Sequence, residues 1–333
     1  MTHLMRALWL DRHRLTLCDT DIPRRAGECL VRVTMAGVCG TDLQLLAGYA
    51  GFTGIPGHEF VGIVEEVSRS GDRHWEGQRV VGNINVGCGT CARCRQGVQE
   101  HCETREVLGI RNRHGAFAEY LSLPSVNLHP VPDGIPDPAA VLVEPLAASC
   151  RILEQVVVDS MTRAAVLGDG RMGLLVAQVL GTTGASPVLF GRHEPRLALA
   201  RSLGLDARPS PEGPLPMPDR FDVVVDVTGR PDGLERALGC VVPRGTIVLK
   251  TTVHDAVPFA TWPVVVDEIT VVGSRCGPFK PAIDLLECGA IRVAPLVDVV
   301  RRLDEWASAL EEASRGLKVL FDPGRAAPGD TTA

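Results

Sequence analysis

The sequence predicts a mixed α/β chain in two parts, an all-β N-terminal part and a parallel α/β sheet, closed by a short return segment. Three observations predict it. Through residue 145, β-branched alternation broken by turn residues recurs in "ECLVRVTMAGVCG", "FVGIVEEV", "QRVVGNINV" and "GAFAEYLSL", an all-β pattern with loops. From Glu144 onward strands alternate with amphipathic helices, "RAAVLGDG" before "RMGLLVAQVLGTTG" and "PVLFGR" before "EPRLALARSLG", which implies a parallel sheet covered on both faces. Finally, 333 residues is long for a single hydrophobic core.

The strands expected next are "FDVVVDVTG", followed by the helix "DGLERALGCV", then "GTIVLK" and "ITVVGSRCG". The return contributes helices in "PAIDLLECG" and "LDEWASALEEAS" and a last strand, "LKVLF". The expected boundaries are therefore 1–145, 146–275 and 276–322, with a cysteine-bearing lobe at 86–103. The Pro-rich 208–220 reads as an extended surface loop, and 323–333 as a disordered tail.

Net charge is −6 with acidic and basic residues interspersed, which leaves no footprint for nucleic acid or an anionic membrane. Apolar runs such as "GLLVAQVLG" stop well short of the roughly 18 residues a membrane span needs. The N-terminal "MTHLMRALWLDRHRLTL" has no signal-peptide core or cleavage site, so a reducing cytoplasm is expected. There, eleven cysteines read as buried small side chains or metal ligands rather than disulfides.

Four of them, Cys88, Cys91, Cys94 and Cys102, fall in "VGCGTCARCRQGVQEHC". The glycines flanking Cys88 let thiolates converge, and a tetrahedral zinc takes four such sulfurs. An iron–sulfur run is the rival. The bacterial ferredoxin pattern has a shorter last gap and a Pro after the final cysteine, where this chain has Glu103. Four thiolates fill the coordination of a zinc and leave no position for substrate, so this site is expected to be structural. His101 reads as a surface neighbour. The remaining metal-competent groups are Cys39 in "GVCGTD", His58 and Glu59 in "GIPGHEFVG", and Glu144 in "VEPLA". Each alone also has an ordinary reading: a core thiol, a turn residue, a solvated charge and an acid at a helix N-terminus.

In "AAVLGDGRMGLLVAQ" a strand runs directly into Gly168, Gly170 and Gly173 at G-x-G-x-x-G spacing, and an apolar-periodic helix follows. In that setting the glycines, with Arg171 and Met172 between them, read as a pyrophosphate-binding turn at a helix N-terminus. About twenty residues further on, an acid accepts the ribose hydroxyls when the cofactor is NAD. Here the strand ends in Gly191, Arg192 and His193 instead. A missing carboxylate beside two basic side chains suits a 2′-phosphate, so NADP(H) is expected over NAD(H); Glu194 is the nearest acid. Thr228 and Thr251 follow the next two strands, at the carboxyl ends where a dinucleotide lies.

"AGVCGTD", "GHEFVG", the cysteine run, "GAFAEY", "EPLA", the Gly-rich turn and "VGS" occur in this order over nearly the whole chain. Together they closely resemble the zinc-containing medium-chain dehydrogenase/reductase family, above all its polyol-, threonine- and glucose-dehydrogenase-like branches. The resemblance implies a GroES-like β-barrel catalytic domain, completed by the C-terminal segment, around an inserted Rossmann domain. It implies two zincs per chain. Cys39 and His58 become ligands of a catalytic zinc, Glu59 a carboxylate that ligates or moves aside, and Glu144 a fourth group. Such a cation lowers the pKa of an alcohol so that hydride can depart.

By the same resemblance Thr41 passes the alcohol proton on, and Asp42 orients the His58 ring. Gln44 stands where many relatives have a relay histidine. Ser274 and Arg275 fall where similar enzymes contact the nicotinamide, and Lys318 reads either as exposed or as reaching a cofactor phosphate. Gln44, Tyr49, Phe52 and Ile84, with Arg111, are the expected pocket lining for a polyol, sugar or amino alcohol. A homodimer or homotetramer is expected, with "FATWPVVVDEITVVGS" as its apolar edge. The competing readings are a catalytically silent cofactor-binding relative and a zinc-free quinone or enone reductase on the same fold.

Overall fold

The computed structural model describes residues 4–211, 220–253 and 257–324. Contacts divide the chain into two units, Met1–Glu144 with Leu296–Ala333, and Pro145–Pro295.

In the first unit the alternating segments form a seven-stranded sheet. Its spine is Cys29–Gly37, antiparallel to Glu59–Val67, to Tyr120–Leu123 and to the returning strand Val319–Asp322. Arg79–Gly82, Leu128–Pro130 and Val299–Arg302 complete it. Residues pointing inward along these strands, such as Val31, Val33, Val61, Val64, Leu121 and Phe321, are fully or almost fully buried. The return therefore does more than close the chain. It docks Leu320 and Phe321 opposite Gly37 and Ala36, next to the segment that carries Cys39.

The second unit is a six-stranded parallel sheet in the order Asp206–Pro209, Val188–Gly191, Ala164–Leu167, Phe221–Asp226, Val241–Leu249, Thr270–Gly273. Numbered along the unit this is 3-2-1-4-5-6, the doubly wound dinucleotide-binding order, whose direction reverses beside the first strand. Ala164, Ala165, Val166 and Leu167 are buried on both faces, as the central strand of such a sheet must be.

The return begins at Leu296, later than the expected 276. The helix Phe279–Glu287 buries Phe279, Ala282 and Ile283 within the second unit. Beyond it, the Gln178 amide donates to Arg292 O at 3.3 Å and accepts from Arg292 N–H at 2.8 Å. The end of the sixth strand looks like a boundary in sequence, but the helix after it buries its apolar side chains within the second unit. Of the loop expected at 208–220, Arg208 and Pro209 belong to a strand, and 212–219 lie outside the described residues. So do 325–333 of the expected tail. Among the described residues no helix is long and apolar enough to cross a membrane.

Candidate active site

Cys39 is the N-cap of the short helix Gly40–Leu46. Three residues on, the Asp42 carboxylate accepts the Cys39 N–H at 2.7 Å, closing the turn. Its other oxygen accepts the Gly57 N–H at 3.2 Å and lies 3.5 Å from His58 Nδ1. One buried carboxylate thus ties the turn bearing Cys39 to the turn bearing His58. Gly57 adopts a left-handed φ of 95°, which a side chain would disfavour, and the strand Glu59–Val67 begins two residues later, directly after His58. The result is a tight group in which donor atoms of Cys39, His58 and Glu59 all lie within 4.8 Å of one another. Burial alone would lower the His58 pKa, yet the Asp42 carboxylate and the Cys39 sulfur hold it well above the ordinary value. Such an imidazole is crowded by negative charge, the environment that a cation would neutralise. Cys39 Sγ lies 3.8 Å from Thr41 Oγ1.

Lys318 corrects the sequence reading. It has no exposed surface at all. Its ammonium donates to Val38 O at 3.0 Å and pairs with the Glu59 carboxylate, so it lies beneath the donor group and not at a cofactor phosphate. Burial brings its pKa down to about 8, against the pull of Cys39 and Asp42. The backbone that delivers it is pinned by Asp298, which accepts from Leu317 N–H and Lys318 N–H.

Glu144 does not share the close group. It is half-buried in the first turn of the helix Val143–Gln155. Gln44 sits on the same short helix as Thr41, Tyr49 is exposed in the turn after it, Phe52 is half-buried, and Ile84 is buried. Arg111 is exposed.

The sulfur atoms of Cys88, Cys91, Cys94 and Cys102 also converge to within 4.8 Å. Backbone N–H groups help set them: Cys88 N–H points to Cys102 Sγ and Cys91 N–H to Cys88 Sγ, both at 3.4 Å. The Thr90 hydroxyl and nearby N–H groups pull the Cys88 thiol down to about 5. Burial and the neighbouring sulfurs push Cys94 up to about 11. Four sulfurs cannot all carry charge here without a cation among them, which fits a metal thiolate site. His101 is exposed and outside the group.

In the second unit Gly168 has a φ of 122°, and a Cβ on Gly173 would fall 1.8 Å from Gly168 O. Only glycines let the strand Ala164–Leu167 turn this sharply into the helix Arg171–Gly181. Around a Cβ built on Gly170, by contrast, there is nothing within 4 Å, so a ligand can approach that backbone closely. Met172 is half-buried in the first turn of the helix. The cleft at this turn is lined by Gly168, Asp169, Gly191, Arg192, His193 and Thr228, with Arg196, Arg230 and Arg236 added from neighbouring elements. Asp226, at the end of its strand, accepts from Thr228 N–H and Oγ1 at 2.9 and 2.8 Å. Thr251 Oγ1 accepts the Gly229 N–H at 3.0 Å. Ser274 is buried and lies 3.3 Å from Lys250 Nζ, whereas Arg275 is exposed.

A dinucleotide-type parallel sheet joined in one chain to a β unit with two metal-competent donor groups defines a class, the two-domain metal-binding dehydrogenases. Residues 25–133 match the alcohol dehydrogenase GroES-like domain and residues 172–288 the zinc-binding dehydrogenase domain. D-arabinitol dehydrogenase 1 of Uromyces fabae is 30% identical over 96% of this chain and 97% of its own. A solved alcohol dehydrogenase from E. coli CFT073, complexed with NADH, superposes with a TM-score of 0.90 at 26% identity, over 96% of this chain and 99% of that one. A zinc-binding dehydrogenase from Sinorhizobium meliloti 1021, bound to NADP, gives 0.87 at 28%, over 96% and 100%. The chain belongs to the zinc-binding alcohol dehydrogenase family, the medium-chain dehydrogenases.

Proposed function

We propose that this dehydrogenase moves a hydride between a secondary alcohol of polyol, sugar or amino-alcohol type and a nicotinamide cofactor, with NADP(H) favoured. The observation that carries the reading is the group Cys39, His58 and Glu59, three converging donors with a partly exposed side. A zinc held there would act as a Lewis acid, lowering the pKa of the alcohol. Three protein donors leave a coordination position for substrate, as a catalytic site requires. Asp42 holds the imidazole and the Cys39 turn in register. The Thr41 hydroxyl accepts a hydrogen bond from the substrate hydroxyl and relays the proton by giving up its own toward the nicotinamide ribose, and Gln44, which cannot titrate, orients a further hydroxyl. Glu144 lies outside this close group and is assigned a place near the metal through water, which keeps the open position for substrate. Cys88, Cys91, Cys94 and Cys102 hold the second, structural zinc.

Support for NADP(H) comes from charge. Arg192, His193, Arg196, Arg230 and Arg236 line the cleft, against one lining carboxylate among the described residues. A phosphate dianion gains from such a cationic rim, and a bare ribose does not. Arg171, Met172, Thr228, Thr251, Ser274 and Arg275 are assigned to the rest of the cofactor.

A panel of polyols, sugars and amino alcohols, assayed with NADP and with NAD before and after chelation, tests the function. Oxidation that needs metal, with about two zincs per chain, is the expected result. One zinc and no turnover would leave a silent relative, and enone reduction without zinc a different enzyme.

The same reading places the protein in the cytoplasm as a homo-oligomer. Among the described residues the strand Thr270–Gly273 ends its sheet, and Trp262, Val265 and Val266 beside it are 66%, 74% and 67% exposed. An unpaired edge next to apolar surface suits a second copy of the chain. Light scattering should read a dimer or tetramer, and a monomer mass overturns this part.

A further inference from the structure

The carboxylate at the ribose end of the cleft does not sit where the strand order leads one to look. Position 191, at the end of the second strand of the parallel sheet, is glycine, and the acid is Asp169, inside the glycine turn. Asp169 Oδ2 accepts the backbone N–H of Arg192 at 2.8 Å and that of His193 at 2.7 Å. Its two oxygens lie 3.0 and 3.1 Å from His193 Nδ1. Burial opposes its charge, but these donors hold its carboxyl below the usual range. An ionised carboxylate only accepts, so Nδ1 is the ring nitrogen carrying the proton.

The carboxylate also fills the space over position 191. A Cβ on Gly191 would stand 2.3 Å from Asp169 Cβ and 2.5 Å from Oδ2. Any side chain there collides with Asp169, and a second carboxylate would add like-charge repulsion. Asp169 is only 6% exposed, and its lone pairs already face three donors of this loop. The negative charge is thus engaged by the protein, while the Arg192 side chain on the clamped turn stays exposed. Arg230 is tied to Asp232 and Arg236 to Ser210.

Resting on the dinucleotide reading above, we infer that Asp169 is a specificity-determining positioning residue. It fixes the Arg192–His193 turn in the form that receives a 2′-phosphate and bars an acid from position 191. Arg192 makes the contact, and Asp169 acts through it.

The test is binding of NADPH and NADH to the zinc-loaded protein, followed by fluorescence, which does not depend on the identity of the alcohol. Asp169→Ala is expected to weaken NADPH about tenfold or more, the scale of a lost charge-assisted contact, and NADH less than about threefold. Asp169→Asn keeps an oxygen for the two N–H groups and recovers part of the loss. Arg192→Ala weakens NADPH selectively, and adding Asp169→Ala to it costs little more, because the two share one effect. Equal weakening of both cofactors, or no change in either, overturns the inference. So does loss of NADH with NADPH spared, which would make Asp169 the acid that reads the ribose hydroxyls. A wild-type protein that binds NADH better sinks the NADP(H) reading alone, since the Asp169 effect is read as a change in selectivity.

Discussion

His58→Ala abolishes alcohol oxidation on the order of a thousandfold, because Lewis-acid stabilisation of several kcal/mol is lost when the metal loses a firm ligand. Bound zinc should fall by about one equivalent, while thermal unfolding moves little beyond the cost of a small cavity. Cys94→Ala should behave oppositely. The four-sulfur lobe loses its metal and the unfolding temperature drops, but the protein that stays folded still turns over. Metal content, melting and initial rates, measured on both variants, separate the two sites. Full activity in His58→Ala would remove the Cys39, His58 and Glu59 group from the chemistry. Lost activity in Cys94→Ala with an unchanged melt would make the lobe more than a brace.

The expected contrast follows from donor count. Four converging sulfurs leave no open position, whereas Cys39, His58 and Glu59 leave at least one. That difference is legible in sequence, because the cysteines are packed into one short run. The quieter group is not. Cys39 and His58 are nineteen positions apart and meet because strand pairing sets Gly37 opposite Glu59 and Asp42 then binds both turns. Five strands of the parallel sheet were readable from the alternation of strand and helix periods and the glycine turn from its spacing, whereas the edge strand Asp206–Pro209 was not, because it runs into the Pro-rich stretch. The later start of the return was not readable either, because a helix following the last strand carries no mark of which unit it is buried in. Asp169 stands at a filler position of the glycine turn, and its partners lie two dozen residues away across the sheet.

Lys318 is the least legible of all, since 259 positions separate it from Glu59. Its sequence signal is faint but physical: a lysine set into the apolar run "GLKVLF" just before the last strand, between Leu317 and Val319, both buried. Lys318→Met keeps the length of the side chain and removes its charge. The Glu59 carboxylate then stays fully buried without its ammonium, a loss of about 3–5 kcal/mol for a broken buried pair. Water offers no relief, because the lysine tip packs so closely on Gly37 that a Cβ there would lie 2.5 Å from Nζ. Denaturant unfolding of the metal-free protein is expected to show this drop, and Glu59→Gln added to Lys318→Met should restore much of it by removing the stranded charge. Zinc loading should shrink the Lys318→Met penalty, because a cation beside Glu59 replaces the missing ammonium. A single variant within about 1 kcal/mol of wild type, the worth of an exposed pair, would show that the ion pair holds nothing together. A penalty unaffected by zinc would show that Glu59 and the metal do not share their charge.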